Sequence, residues 1–142
     1  MKKHTNRWFL YGCGTALSMA AFILTYKKIL LSGISPLVLI FFIFIFTFLG
    51  FAGWALISRP KIKFSWIVLG WFIAAAIASL LGNYFEALSL RDAPNPGYTS
   101  SLKYLQIIII TLFAPFLFGS KINLKKVLGI VLVLGGLFLI VI

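Results

Sequence analysis

The chain alternates between long runs of apolar residues and short gaps that hold most of its charged residues. A helix needs roughly 20 apolar residues to cross the hydrocarbon core of a bilayer, which is about 30 Å thick. Five runs reach or approach this length: Trp8–Tyr26, Pro36–Ile57, Phe64–Leu90, Tyr98–Phe118 and Leu124–Ile142. The pattern predicts an all-α integral membrane protein, with one transmembrane domain of five helices over residues 1–142.

The short gaps predict that consecutive helices are antiparallel neighbours in a compact bundle. Prolines lie at or beside these gaps, where a helix must start or stop; they are Pro36, Pro60, Pro94 and Pro96. Pro115 lies inside the fourth run, where we expect it to kink the helix.

Composition excludes most soluble classes of protein. Apolar residues make up 62% of the 142 positions, more than a soluble domain of this size can bury. The net charge of +11 does not indicate nucleic-acid binding, because the basic residues lie between apolar runs and no nucleic-acid motif accompanies them. Cys13 and His4 are single and no catalytic motif is present, so we expect no metal, no cofactor and no enzymatic activity.

The basic residues are distributed unevenly between the two predicted sides of the membrane. One side has nine and no acid: Lys2, Lys3, Arg7, Arg59, Lys61, Lys63, Lys121, Lys125 and Lys126. The other has four, Lys27, Lys28, Arg91 and Lys103, together with the acids Glu86 and Asp92. The positive-inside rule then predicts a multi-pass protein of the inner cell membrane with a cytoplasmic N-terminus and an external C-terminus.

An alternative for the first run is a cleaved signal peptide. Basic residues precede the run, and Ser18-Met19-Ala20 offers small residues for cleavage. Cleavage would leave the other spans in the same orientation. The apolar residues continue through Phe22-Ile23-Leu24, which favours a retained helix.

Polar residues lie at matched depths in the third and fourth runs. We expect Glu86 and Lys103 roughly 6–8 Å below the outer boundary, and Asn83 and Gln106 about three residues deeper. Each pair is spaced i,i+3 and shares a helix face, so a hairpin would place a Glu86–Lys103 ion pair above an Asn83–Gln106 hydrogen bond. These residues and Tyr84 are candidate substrate or coupling residues; the alternative is an ion pair that only locks the hairpin.

Small residues form two stripes at helical spacing. They are Gly70, Ala74, Ala78 and Gly82 in the third run, and Gly129 and Gly136 in the fifth. Lipid gives helices no hydrophobic reason to associate, so close packing depends on such residues. We predict helix-packing seams at both stripes, with Gly129 and Gly136 as a seam for a second subunit.

Several segments resemble EamA-like proteins of the drug/metabolite transporter superfamily. They are Tyr84-Phe85-Glu86-Ala87-Leu88, Ala93-Pro94-Asn95-Pro96-Gly97-Tyr98, Leu117-Phe118-Gly119 and the Gly-rich ending at 128–136, with Gly12, Gly14 and Pro36 fitting the same repeat. The resemblance implies a transporter fold of five-helix repeats, of which this chain supplies one. Ser120-Lys121 and Ile107-Ile108 depart from the family pattern. Small multidrug-resistance pumps need a carboxylate in their first helix, and Trp8–Tyr26 contains none.

Two functions are open at this point. The first is a half-size secondary transporter, an exporter of small metabolites or amphiphilic compounds, that acts as a homodimer or with a partner five-helix repeat. The second is a non-transporting membrane subunit with an assembly or regulatory role. The small number of polar residues in the second and fifth runs favours the second function.

The orientation is tested by fusing a reporter that fluoresces only in the cytoplasm and a phosphatase that is active only outside. We expect fluorescence from a fusion after Lys61 and phosphatase activity from a fusion after the last residue, because the basic gaps stay inside. Activity of the same reporter at both positions would contradict the five-span topology.

Overall fold

The computed structural model describes residues 7–61, 65–119 and 123–141. It is 88% helical, and the described residues contain no strand, which confirms the all-α fold class. The helices are α1 (Arg7–Leu31), α2 (Pro36–Ser58), α3 (Trp66–Asp92), α4 (Pro96–Lys103), α5 (Gln106–Phe118) and α6 (Leu124–Val141). The chain divides into two compact units, Met1–Asp92 with α1–α3 and Ala93–Ile142 with α4–α6.

Four stretches of the described chain are long and apolar enough to cross a bilayer: Phe9–Leu31, Pro36–Ser58, Trp66–Asp92 and Pro96–Phe118. The last of these combines α4 and α5, and Val127–Ile140 in α6 is a shorter apolar helix. The described chain is thus an all-α membrane protein with four long apolar stretches and one shorter apolar helix, as the sequence predicts.

The first helix runs past the point where its apolar run ends. α1 includes Lys27 and Lys28 and stops at Leu31. Lysine does not end a helix here, because its long stem covers apolar surface while its ammonium group reaches polar partners. The chain turns instead at Gly33, whose φ of 86° is a left-handed conformation that glycine adopts without steric cost.

The second helix has a recognisable signal at each end. Pro36 occupies its first turn, where a missing N–H costs nothing, and the Ser35 hydroxyl accepts a hydrogen bond from the Val38 N–H at 3.4 Å. At the other end Arg59 adopts the left-handed conformation, with φ 44° and ψ 57°. Its N–H donates to the Ala55 carbonyl at 2.9 Å and closes the last turn.

The stretch predicted as one helix, Tyr98–Phe118, is two helices. Between α4 and α5 the Tyr104 N–H donates to the Ser101 carbonyl and the Leu105 N–H to the Leu102 carbonyl, each at 3.0 Å. These are three-residue steps of the tighter 3₁₀ type, which interrupt the α-helical ladder. Lys103 therefore ends α4 and Gln106 begins α5.

The core of the first unit lies where α1 ends, α2 begins and α3 ends. The buried residues of α1 and α3 recur at a spacing of three or four, and α2 adds two adjacent residues near its start. Together they are Ile23, Tyr26, Leu30, Leu39, Ile40, Ala87 and Leu90. The earlier part of α1 and most of α3 are exposed, so the three helices pack most tightly at one end.

A side chain of α1 binds the last carbonyl groups of α3. The Lys27 Nζ donates to the Leu90 carbonyl at 2.6 Å and to the Arg91 carbonyl at 3.2 Å. The final carbonyls of a helix lack intrahelical partners and carry partial negative charge. An ammonium group therefore stabilises them both by hydrogen bonding and by its positive charge. Lys27 thus ties the end of α1 to the end of α3.

Replacing Lys27 with Met tests this contact, and Lys28→Met is the matched control because Lys28 is the exposed neighbour. We expect Lys27→Met to lower the free energy of unfolding by about 1.5–3 kcal/mol, the usual contribution of hydrogen bonds from a charged group. Lys28→Met should change it by less than about 0.5 kcal/mol, as surface substitutions do. Unfolding of the purified chain in detergent measures both, and equal losses would contradict the assignment.

Candidate functional site

Glu86 is the buried acid of this chain. The sequence contains two acidic residues, and Glu86 is 9% exposed whereas Asp92 is exposed. Glu86 shares its helix face with Ala87 and Leu90, both fully buried in the core of the first unit. A carboxyl group in such surroundings is removed from water and is kept only where it has a structural or functional partner.

Tyr26 of α1 lies within electrostatic range of Glu86. Its ring stacks on Phe22 with 5.0 Å between the ring centroids, and only 1% of the residue is exposed. The next residue, Lys27, binds the carbonyl of Leu90, one helical turn beyond Glu86. Tyr26 and Glu86, with Lys27 one residue along α1, lie at the edge of the apolar core and are here termed the Glu86 group.

Tyr26 and Lys27 are not among the site residues expected from the sequence. A signal for them exists, because Ile23, Tyr26 and Leu30 recur at the spacing of one buried helix face. That spacing places Tyr26 towards the core, and Lys27, the next residue, lies close enough to α3 to bind the Leu90 carbonyl. In chemical terms the Glu86 group combines a phenol, an ammonium group and a carboxyl group, which can donate, accept and exchange protons.

Asn83 and Tyr84 are on the same helix as Glu86 but are engaged differently. The Asn83 side-chain amide donates to the Ser79 carbonyl at 2.8 Å and to the Ser79 hydroxyl at 3.3 Å, both one turn earlier in α3. Tyr84 is 39% exposed, with its ring centroid 6.3 Å from that of Phe85. Neither residue is part of the Glu86 group.

Lys103 and Gln106 lie in the second unit, at the junction of two helices. Both are exposed, Lys103 as the last residue of α4 and Gln106 as the first of α5. The predicted pairs Glu86–Lys103 and Asn83–Gln106 join residues of different units, so they stay predictions.

The small-residue stripes are not packed against other helices in the described part of the chain. Gly70, Ala74, Ala78 and Gly82 are exposed, and so are Gly129 and Gly136. A Cβ atom added at any of these four glycines would meet no heavy atom within 4 Å. Their role as a seam with a second subunit stays a prediction.

The second acid, Asp92, pairs with its neighbour in the chain. The Arg91 Nε lies 2.8 Å from the Asp92 Oδ1, and Nη2 lies 3.3 Å from Oδ2. The described residues include no group of His, Cys, Asp and Glu that would hold a metal ion. Of the basic residues on the predicted cytoplasmic side, Lys2, Lys3, Lys63 and Lys121 lie outside the described residues.

The comparisons with known proteins agree with the resemblance seen in the sequence. Residues 6–142 match the EamA-like transporter family. No individual curated protein and no solved structure gave a match. A family match over nearly the whole chain, together with helices that span a bilayer, shows that this multi-pass membrane protein belongs to the EamA-like transporter family.

Proposed function

We propose that the chain is a half-size secondary transporter of the inner membrane that exports small metabolites or amphiphilic compounds. The family match covers residues 6–142, and within it the chain has helices for one five-helix repeat. Transporter sites of this kind lie at the interface between repeats, so one repeat needs a second. The chain then works as a homodimer or with a partner five-helix repeat, with its N-terminus in the cytoplasm and its C-terminus outside.

The observation that carries the proposal is the buried carboxyl group of Glu86. Acidic side chains within membrane spans usually face the bundle interior and often mark a pathway for ions or substrate. A carboxyl group has the chemistry to exchange a proton with a substrate, Tyr26 of α1 lies within electrostatic range of Glu86, and Lys27 binds the Leu90 carbonyl one turn further along α3. We assign Glu86 the coupling role, with Asn83, Tyr84, Lys103 and Gln106 as candidates for substrate contact.

Flux through reconstituted vesicles tests this assignment. Proteoliposomes loaded with a pH-sensitive dye and holding a pH gradient are exposed to a panel of amphiphilic cations and of neutral and anionic metabolites. We expect at least one compound to dissipate the gradient, and Glu86→Gln to slow that flux roughly tenfold or more, because an amide cannot exchange a proton. Asp92→Asn is the control, since Asp92 is exposed and paired with Arg91.

Two outcomes decide between the functions. Equal flux in the wild type and Glu86→Gln would remove Glu86 from the mechanism. No flux for any compound, together with a stable complex with an unrelated membrane protein, would favour the non-transporting subunit.

The partner of Glu86 is tested by a double-mutant cycle with Lys103. The hairpin hypothesis predicts that Glu86→Gln and Lys103→Met together destabilise the chain less than the sum of the single variants, with a coupling of about 0.5–3 kcal/mol. A parallel cycle with Lys27→Met measures the coupling between Glu86 and Lys27. Additive effects in the Lys103 cycle would contradict the Glu86–Lys103 ion pair.

A further inference from the structure

The two ends of the first unit differ in how their charges are compensated. At the core end, Lys27 binds the carbonyls of α3 and Arg91 binds the carboxylate of Asp92. The opposite end carries Arg7 at the start of α1 and Arg59 and Lys61 after α2, here termed the cationic end. Within the described residues, no acidic side chain or carbonyl group pairs with the side chains of these three.

The chain itself cannot neutralise the cationic end. Its acidic residues are Glu86 and Asp92. Both lie in the last turns of α3, and Glu86 is about 30 Å along that helix from Trp66, which begins it. This separation far exceeds the range over which exposed charges interact at physiological salt. Anions for this end must come from outside the chain.

Two tryptophans indicate that the cationic end lies at the depth of the lipid headgroups. Trp54 lies in the last turns of α2 and Trp66 begins α3, and they are 70% and 83% exposed. Indole rings favour the headgroup layer, where an apolar face meets lipid and the N–H meets polar groups. Arg59 and Lys61 lie between them in the sequence and therefore at the level of lipid phosphates.

The backbone of Arg59 gives a second, independent reason. Its conformation, φ 44° and ψ 57°, is one that glycine or asparagine normally supplies after a helix. An arginine there is strained, so the helix end alone does not favour it. A guanidinium group, however, binds a phosphate through two parallel hydrogen bonds.

We propose that the cationic end of the first unit binds the headgroups of anionic phospholipids. Arg59 and Lys61 hold the phosphate, Arg7 adds to the attraction, and Trp54 and Trp66 anchor the neighbouring helix ends at the same depth. The interaction is independent of the transported substrate, because it needs only the exposed basic side chains and a negatively charged membrane surface.

Lipid binding to the full-length chain in detergent tests the proposal. Phosphatidylglycerol and phosphatidylcholine with identical acyl chains are titrated, with native mass spectrometry to count bound lipid and thermal unfolding to measure stabilisation. We expect phosphatidylglycerol to bind more tightly and to raise the unfolding temperature more. Removing one basic residue should weaken its binding about fivefold, and added salt should weaken it further.

The variants separate lipid binding from helix capping. Arg59→Gly relieves the left-handed strain, so it should unfold at a higher temperature than wild type without lipid and yet gain less from phosphatidylglycerol. Lys61→Gln should show only the weaker binding, and Arg59→Asn replaces Arg59→Gly if the glycine variant does not fold. Lys28→Gln, at the other end of the unit, should bind as wild type does.

Three results would overturn the proposal. The first is equal binding of the two lipids. The second is unchanged phosphatidylglycerol binding in Arg59→Gly and Lys61→Gln, or an equal loss in Lys28→Gln. The third is full reproduction of the stabilisation by inorganic phosphate, which would show a free-anion site in place of a lipid site.

Discussion

A bilayer offers little water to the ends of helices, so each carbonyl group that leaves the helical ladder needs a donor from the protein or from the headgroups. In the first unit Lys27 meets this need for α3, through the carbonyls of Leu90 and Arg91. The same contact ties α1 to α3 at the end where the core lies. The contact lies one helical turn beyond Glu86, which is buried.

Much of the fold follows from the sequence because lipid leaves a chain few choices. A long apolar run must be helical to satisfy its own backbone, so the number of spans can be read from composition. Ser35-Pro36 likewise gives the start of α2 directly. The extension of α1 through Lys27 and Lys28 could not be read, because charged residues at the end of a run look the same whether they solvate the loop or cap a neighbouring helix.

The interruption between α4 and α5 shows a second limit. Tyr104 and Leu105 are ordinary helix formers, and nothing in their side chains predicts a 3₁₀ step. Pro115, where a kink is expected, lies inside α5, so the break between the two helices does not fall at the proline. Local propensity is a weak guide where packing determines how tightly the backbone winds.

The polar residues around Glu86 differ in how far the sequence alone could indicate them. Glu86 stands out by rarity alone, since acids within apolar runs are costly. Matching depths along a hairpin pairs residues of consecutive antiparallel helices, so it led to Lys103. Tyr26 and Lys27 belong to α1, which does not follow or precede α3 directly in the sequence. The C-terminal end of α1 contacts the C-terminal end of α3. Predicting such contacts requires knowing which helix faces meet, and the composition of the chain does not give that information.

The basic residues matter both for membrane insertion and for folding, and their effect differs between the two. Insertion responds to lysine and arginine in short loops largely without regard to acids, so the count of nine against four predicts the orientation. In the folded chain Lys27 and Arg91 have partners within the protein, whereas no acidic side chain lies near Arg7, Arg59 and Lys61 among the described residues. A parallel pair of such units places both cationic ends in one leaflet, and an antiparallel pair places one in each. The proposed lipid binding would therefore make a parallel pair sensitive to the anionic lipid of a single leaflet, whereas an antiparallel pair would respond to both leaflets.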